Sequence, residues 1–525
     1  MSRTFTRRRA AAAATASTVL AALISTPLPA VAAGAGEPLV PGGPLPVTAV
    51  DVSNTDTDLG SVSNEVVVVT QAPDGGLEVS KLRASSPAGA ERLARELASR
   101  DGVVAQVNRT RSIEDPATGT VGRSKGGSAL PVGGTSPRLT AVGALSAEAR
   151  GASQWGLRAV GAEVAWDVTR GSGTVVAVVD TGVDFDHPDL TGQLLPQIDV
   201  IDDGWTGDLV GHGTHVAGIV AASLDGAGVA GLANQVKVLP VRVCDEYGDL
   251  DSFAIAAGIG AAVDAGADVI NLSFGGGYDA MEEAAIDYAL DNGVVVVAAA
   301  GNEYLAGNPT TYPAALPGVI GVSSADEYGR SSDFANVGSY VDLTAPGQNI
   351  LSTVPGGGWE TGTGTSMAAP FVAATSGLVH AANPSLGRAQ VEAVLLGTAV
   401  DDASGDGPDT VFGYGLLRAD SATARAATLP GGIRYAAPTA RVKVTSVSSR
   451  SKLRVDVDPN KGRGYWTFRV QKKRADGTWK PLKTYRTRGS AETRTINLPK
   501  GTYRVVVRAK YGYAGTTSGS VVLKR

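Results

Sequence analysis

Five almost unbroken apolar runs lie between residues 174 and 324: TVVAVV, VKVLPVRV, ADVINLSF, NGVVVVAAA and GVIGVSS. A strand with one wet face alternates apolar and polar residues, and these runs do not alternate. They read as strands buried on both faces. Between them stand stretches of helical period, HVAGIVAAS, FAIAAGIGAAVDA and MEEAAIDYALDN. Strand and helix in alternation predict an α/β domain over residues 151–427, with a doubly wound, mostly parallel sheet and helices on both sides. In such a sheet the functional residues belong at the carboxyl ends of the strands.

The chain has 525 residues, too many for one ordinary domain. Beyond a linker at 428–438, residues 439–525 change period: KLRVDVD, YWTFRVQKK, TRTINL and TYRVVVRAK alternate and are separated by turn signals, which predicts a small all-β sandwich. The charge changes there too. This tail holds 22 Lys and Arg against four acids, which leaves 24 basic and 47 acidic residues for the first 438 positions. The near-neutral whole therefore hides an acidic front and a strongly basic back. At the other end, Arg3, Arg7, Arg8 and Arg9 precede a short alanine-rich apolar stretch with small residues around Ala30–Ala33. Residues 1–33 read as a signal peptide, so the protein is expected to be secreted and extracellular; the stretch is too short for a good membrane span. Residues 34–114 contain NEVVVVT, AGAERLARELASRDG and VVAQVNRTRSI, a β–α–β order, and 115–150 form a flexible connector rich in Gly, Ser, Pro and Thr. The single cysteine, Cys244, excludes an intrachain disulfide and ends an apolar run, as a small buried hydrophobe would.

Three short motifs stand where chemistry needs them. Asp180 follows the run TVVAVV in DTGVD, and His212 and Ser366 each open a helical stretch, in GHGTHVAG and TGTGTSMAAP. Singly, each is an ordinary cap or turn residue. Together, in the order Asp, His, Ser, these stretches resemble the subtilisin-type serine proteases over about half of the chain. The resemblance implies a serine endopeptidase of broad specificity working through an acyl-enzyme. A hydroxyl is a weak nucleophile until a base takes its proton, so Ser366 needs His212, and a buried carboxylate, Asp180, holds the imidazole in the right tautomer. Asn302, in AAAGNE, matches the family's oxyanion asparagine, beside the backbone N–H of Ser366. The segment containing Ser273, Phe274, Gly275 and Gly276 would pair with an extended peptide, with Ala299, Ala300 and Gly301 as the facing wall. Phe274 would narrow the S4 pocket and Thr311 would shorten S1. The β–α–β segment at 34–114 resembles the family's inhibitory, chaperone-like pro-segments. No cofactor is implied for catalysis. A structural Ca2+ is implied at Asp189, Asp225 and the carbonyls of Ser223, Ala227 and Val229.

The other histidines read differently. His215 lies three residues after His212, without the HExxH spacing of a helical zinc pair. His187 suits a hydrogen-bonded turn, and His380, near a helix end, suits a cation on the dipole. A secreted scaffold with a degenerate protease fold would have lost a triad residue, and none is lost. A maturation enzyme for one specific partner remains open, since it would use the same core. For the tail two readings also remain: a solvated basic face, or adhesion to an anionic surface such as a cell-wall polymer, helped by Tyr465, Trp466, Trp479, Tyr485, Tyr511 and Tyr513. Nucleic acid is not an expected partner, since no binding motif is present.

Overall fold

The computed structural model describes residues 63–113 and 150–523, apart from short stretches at 73–74, 101, 202, 401–407, 430–440, 448–451, 459–466, 475–477, 487–492 and 508–515. The signal peptide, nearly all of the connector and linker, and Tyr465, Trp466, Tyr511 and Tyr513 lie outside the described residues. The described chain falls into two compact units, residues 63–109 and residues 110–523.

In the first unit, β1 (Glu65–Gln71) pairs antiparallel with β2 (Leu77–Arg83) and with β3 (Val104–Val107). Helix α1 (Pro87–Ala98) starts at Ser86, whose Oγ accepts the Gly89 N–H at 3.1 Å, and Pro87 pre-sets its first turn. Leu93, Ala94 and Leu97 on one stripe of the helix meet Val66 and Val68 of β1. Strand β2 is an addition to the β–α–β order read from the sequence. Its residues, LEVSKLR, are half-buried or exposed throughout, so no apolar run marks it.

The second unit begins with β4 (Thr110–Ser112) and is organised around seven parallel strands. These are β5 (Val175–Asp180), β6 (Ile198–Asp199), β7 (Lys237–Arg242), β9 (Val269–Leu272), β10 (Val295–Ala299), β11 (Val319–Ala325) and β12 (Leu343–Pro346), in the spatial order β12-β11-β10-β9-β5-β7-β6. The chain leaves β5 to one side through α2 (His212–Ala221) and β7, then crosses through α3 (Ser252–Asp264) to β9 on the other side. That reversal at β5 is the switch point at which α/β sheets build their sites. Strands β5, β9 and β10 are buried at almost every residue, which is why their sequences do not alternate. The short strand β8 (Asp249–Asp251) lies outside the large sheet and pairs antiparallel with β4. Helix α3 is capped by Asp251, whose carboxylate takes the Ala254 N–H, and α4 (Ala280–Asp291) by Asp279, whose carboxylate takes the Met281 and Glu282 N–H groups. Helix α5 (Thr365–Ala382), which follows the hairpin of β13 (Ile350–Val354) and β14 (Gly358–Gly362), is rich in Ala, Ser, Thr and Gly and packs closely on β9 to β12 and against α2.

After these, β15 (Arg441–Val447), β16 (Lys452–Asp458) and β19 (Thr493–Asn497) form one antiparallel sheet. A second contains β17 (Thr467–Lys473), β18 (Trp479–Arg486), β20 (Gly501–Val507), β21 (Thr516–Thr517) and β22 (Val521–Leu523). Leu453, Val455 and Val457 of the first sheet share one buried cluster with Phe468, Val470, Tyr503 and Val505 of the second.

Candidate active site

The run VVAVV ends on Asp180 at the carboxyl edge of β5, beside the first residue of α2, His212. His212 Nδ1 stands 2.7 Å from Asp180 Oδ1, and both residues are buried. A buried carboxylate at this distance keeps the proton on Nδ1 and leaves Nε2 as the basic atom. The closeness of α2 to the strand end depends on Gly213: a Cβ there would lie 2.1 Å from the Gly182 carbonyl oxygen.

A second carboxylate, which the sequence reading did not single out, builds the head of this helix. Buried Asp208 accepts Thr181 Oγ1–H at 2.8 Å, Val210 N–H at 3.1 Å and Gly211 N–H at 2.7 Å on Oδ1. Its Oδ2 accepts Thr214 N–H at 2.8 Å and Thr214 Oγ1–H at 2.7 Å. Thr181 Oγ1 in turn accepts Gly213 N–H at 2.8 Å, which ties the residue after Asp180 to the residue after His212. The available signal was an Asp four places before His212, where a helix start leaves orphan N–H groups.

Ser366 is the second residue of α5 and half-buried, with the positive end of the helix dipole and an N–H of the first turn at hand. Asn302 reaches the same helix head from the end of β10. Its Oδ1 accepts Thr365 N–H at 2.9 Å and Thr365 Oγ1–H at 3.0 Å. These two donors fix the amide, so that Nδ2 is the group left to donate; a Cβ on Gly364 would lie 3.4 Å from it. Thr365 Oγ1 also accepts Gly301 N–H at 3.1 Å, where the backbone turns at φ +103°. One buried threonine thus locks the amide and the turn before it.

The residues proposed for substrate lie around this head. Asn271 Nδ2 donates to Ser273 Oγ at 2.9 Å, and Ser273 Oγ–H donates to the Ser366 carbonyl at 2.8 Å. Phe274 is buried, and Gly276 exchanges both backbone hydrogen bonds with Tyr312, at 2.9 and 2.8 Å. Thr311 packs into the place of a side chain on Gly275, with Cγ2 2.3 Å from where its Cβ would be, and its Oγ1 is 2.5 Å from where a Gly301 Cβ would be. Ala299 and Ala300 are buried beneath, and the Ala300 carbonyl accepts Tyr340 O–H at 3.0 Å.

Of the five residues expected at a calcium site, three meet directly. The Asp189 carbonyl accepts Ser223 N–H at 2.7 Å, and its buried Oδ2 accepts Val229 N–H at 2.8 Å and the Trp359 indole N–H at 2.7 Å. Asp225 is exposed and accepts Ala227 N–H at 3.0 Å. Among the described residues no three His, Cys, Asp or Glu side chains gather to hold a metal.

The remaining histidines are occupied otherwise. His187 donates from Nε2 to the Gly358 carbonyl at 2.9 Å and accepts Asp189 N–H on Nδ1 at 3.1 Å. His215 is buried, with Nε2 3.2 Å from the Glu360 carbonyl; burial first, then the His212 ring, push its pKa down to about 4. At His380, expected to suit a cation on the dipole, burial lowers the pKa against a smaller upward pull from Asp268.

Residues 171–415 match the model of the subtilase family of peptidases. The chain is 42% identical over 275 residues to a thermophilic serine proteinase of Bacillus sp. (strain AK1), covering 51% of this chain and 66% of that protein. It is 38% identical over 314 residues to fervidolysin of Fervidobacterium pennivorans, covering 53% and 45% of the two chains. In both cases the match spans less than two thirds of the relative's length. Thermitase of Thermoactinomyces vulgaris is matched more fully, at 43% identity over 259 residues, 48% of this chain and 90% of thermitase. The fold is also similar to the crystal structure of fervidolysin, a keratinolytic enzyme related to subtilisin, with a TM-score of 0.61 and 25% identity over 91% of this chain and 78% of that one. The seven-stranded parallel sheet is therefore subtilisin-like, and identity of this depth across nine tenths of thermitase shows that the chain belongs to the subtilase family of serine endopeptidases.

Proposed function

We propose that this protein is a secreted endopeptidase of broad specificity, with Asp180, His212 and Ser366 as its triad and Asn302 as an oxyanion donor. The buried 2.7 Å contact between His212 Nδ1 and Asp180 carries the proposal, because it leaves a basic Nε2. His212 Nε2 takes the proton of Ser366 Oγ as that oxygen bonds to the substrate carbonyl carbon. The carbonyl oxygen becomes an anion and accepts hydrogen bonds from Ser366 N–H and Asn302 Nδ2. The imidazolium, stabilised by Asp180, gives its proton to the amine nitrogen as the C–N bond breaks. Water then repeats the sequence on the acyl-enzyme and frees Ser366. Recognition through backbone edges at Ser273–Gly276 and Ala299–Gly301 favours any extended polypeptide over one sequence.

Export is supported by the basic and then apolar start of the chain, and among the described residues no helix is long and apolar enough to cross a membrane. The compact unit before residue 110 supports the reading of a pro-segment that inhibits the enzyme and is removed on maturation. Asp189, Asp225 and the carbonyls of Ser223, Ala227 and Val229 supply the hard oxygens that calcium takes, and this donor chemistry is what supports a structural ion there. The basic, two-sheet C-terminal region is read as an adhesive module for an anionic surface.

The test is Ser366→Ala, which should abolish peptide hydrolysis and removal of the pro-segment. A fluorophosphonate should label Ser366 and spare Cys244, whose thiol is buried and held up in pKa mainly by that burial. Near-normal turnover by the variant, or label on Cys244, would refute the proposal.

A further inference from the structure

Strand β4 lies antiparallel on β8, with Thr110 opposite Asp251, Arg111 opposite Leu250 and Ser112 opposite Asp249. Ile113 N–H continues the ladder to the Gly248 carbonyl at 2.9 Å. From this strand the Arg111 side chain enters a pocket. Its Nη2 is 3.2 Å from Glu282 Oε2, its Nη1 is 3.4 Å from the Tyr312 carbonyl oxygen, and its guanidinium lies 6.0 Å from the centre of the Phe274 ring. Gly276 makes the room, since a Cβ there would already be 3.3 Å from the arginine.

The floor of this pocket is chemically unusual. Glu282 is wholly buried in the first turn of α4, and its Oε1 has no hydrogen-bond partner among the described residues. Burial pushes its pKa up to about 7 against the pull of Arg111, and Asp279 adds to the rise. An acid in the first turn suits the helix dipole, but an exposed one would gain the same; that benefit is small beside the cost of burying a carboxylate. An apolar residue would close the pocket without that cost. A buried carboxylate at its floor is suited to a cation.

Two walls of the pocket, Phe274 and Gly276, belong to the segment proposed to hold substrate, and an extended chain laid on a free strand edge is how proteases and other strand-adding sites take peptides. We infer that Thr110–Ile113, at the end of the segment proposed to be removed, stands in for the part of a substrate upstream of the bond to be cut, that Glu282 is a specificity-determining residue, and that the enzyme selects substrates with arginine at the position corresponding to Arg111. Other positions keep the broad tolerance of backbone recognition. Lysine would be taken less well, because a single ammonium cannot meet the carboxylate, the Tyr312 carbonyl and the Phe274 face together.

The inference rests on the endopeptidase reading, and one experiment separates the two. The purified full-length chain, allowed to mature, is given competing peptides that differ only in Arg, Lys, Leu or Glu at each of the second to fifth positions upstream of the cut, and products are read by mass spectrometry. At one of these positions Arg should exceed Leu in kcat/KM by about tenfold or more, as a charge-assisted hydrogen bond provides. Glu282→Gln keeps the shape, loses the charge and should bring that ratio near one; Glu282→Arg should turn it toward Glu. A ratio within one competition does not depend on how much enzyme has folded. An unchanged ratio in Glu282→Gln, or cutting without Arg preference at any of the four positions, would overturn the inference. If none of the peptides is cut, the endopeptidase reading itself fails.

Discussion

Asp208→Asn tests how the head of α2 is held. The carboxylate accepts three hydrogen bonds on Oδ1 and two on Oδ2 within 3.1 Å. An amide can keep one acceptor oxygen, so the better orientation saves the three and turns an NH2 toward Thr214 N–H and Oγ1. Hydrogen bonds to a charged group contribute about 1.5–3 kcal/mol each, so the two losses total roughly 3–6 kcal/mol. The Thr214 hydroxyl can rotate to accept from the new NH2, although it already accepts Asp184 N–H at 2.9 Å, which favours the lower end. A loss of about 3 kcal/mol in a domain of this size lowers Tm by roughly 6–12 °C. Calorimetry in the Ser366→Ala background, expected to be inactive, measures this directly. In the active enzyme the same change loosens Gly213 and His212, and about 1.4 kcal/mol of lost positioning gives a tenfold fall in kcat. A Tm within about 2 °C of the parent, well below the expected drop, would show that Asp208 does not organise the helix head.

Asn302→Ala should lower kcat by about two to three orders of magnitude with little change in KM, the mark of a donor used in the transition state; unchanged kcat would remove Asn302 from the oxyanion site. Because His215 has a folded pKa of about 4 against 6.5 when free, the unfolded chain binds the extra proton between these values. Its share of stability is full above about 6.5 and is lost as pH falls toward about 4, so His215→Gln in the Ser366→Ala background should flatten the acid limb of Tm against pH, and parallel limbs would contradict this. Excess EGTA should lower Tm, and Asp189→Asn should abolish that response; equal Tm with calcium and with chelator counts against the ion. A chain ending near Ala427 should cleave small peptides yet lose retention on anionic particles, and retention of the full chain should fall between low and moderate salt as the Debye length shortens to about 8 Å; salt-independent retention would leave the tail without this role.

The central strands were legible because burial on both faces removes alternation: the runs TVVAVV and NGVVVVAAA lie over β5 and β10. The candidate catalytic residues were legible through local motifs, which the comparisons join to one family. Strand β2 was hidden because its side chains are half-wet and polar, and β6 because two residues carry no period. The Arg111–Glu282 pair was out of reach for a different reason. Its partners are separated by 171 positions, and neither lies in a motif that signals the other. Asp208 was nearer at hand, but a buried carboxylate is recognised by the donors around it, and those become visible only when β5 and α2 are brought together.

The burial of α5 has a consequence for an enzyme that lives among copies of itself. From Thr365 to Val379 every residue but Ser366 is buried, and the helix crosses β9 to β12. A protease can cut only a segment that detaches from its neighbours and extends, and this helix can do so only when the sheet comes apart. Self-digestion should therefore begin at exposed loops such as the one around Tyr247, 77% exposed, or Leu305, 76% exposed, while the helix that carries Ser366 is among the last parts to be cut. Active sites in a nicked population would then outlast intact chains, and titration of active sites would overcount the molecules that remain whole.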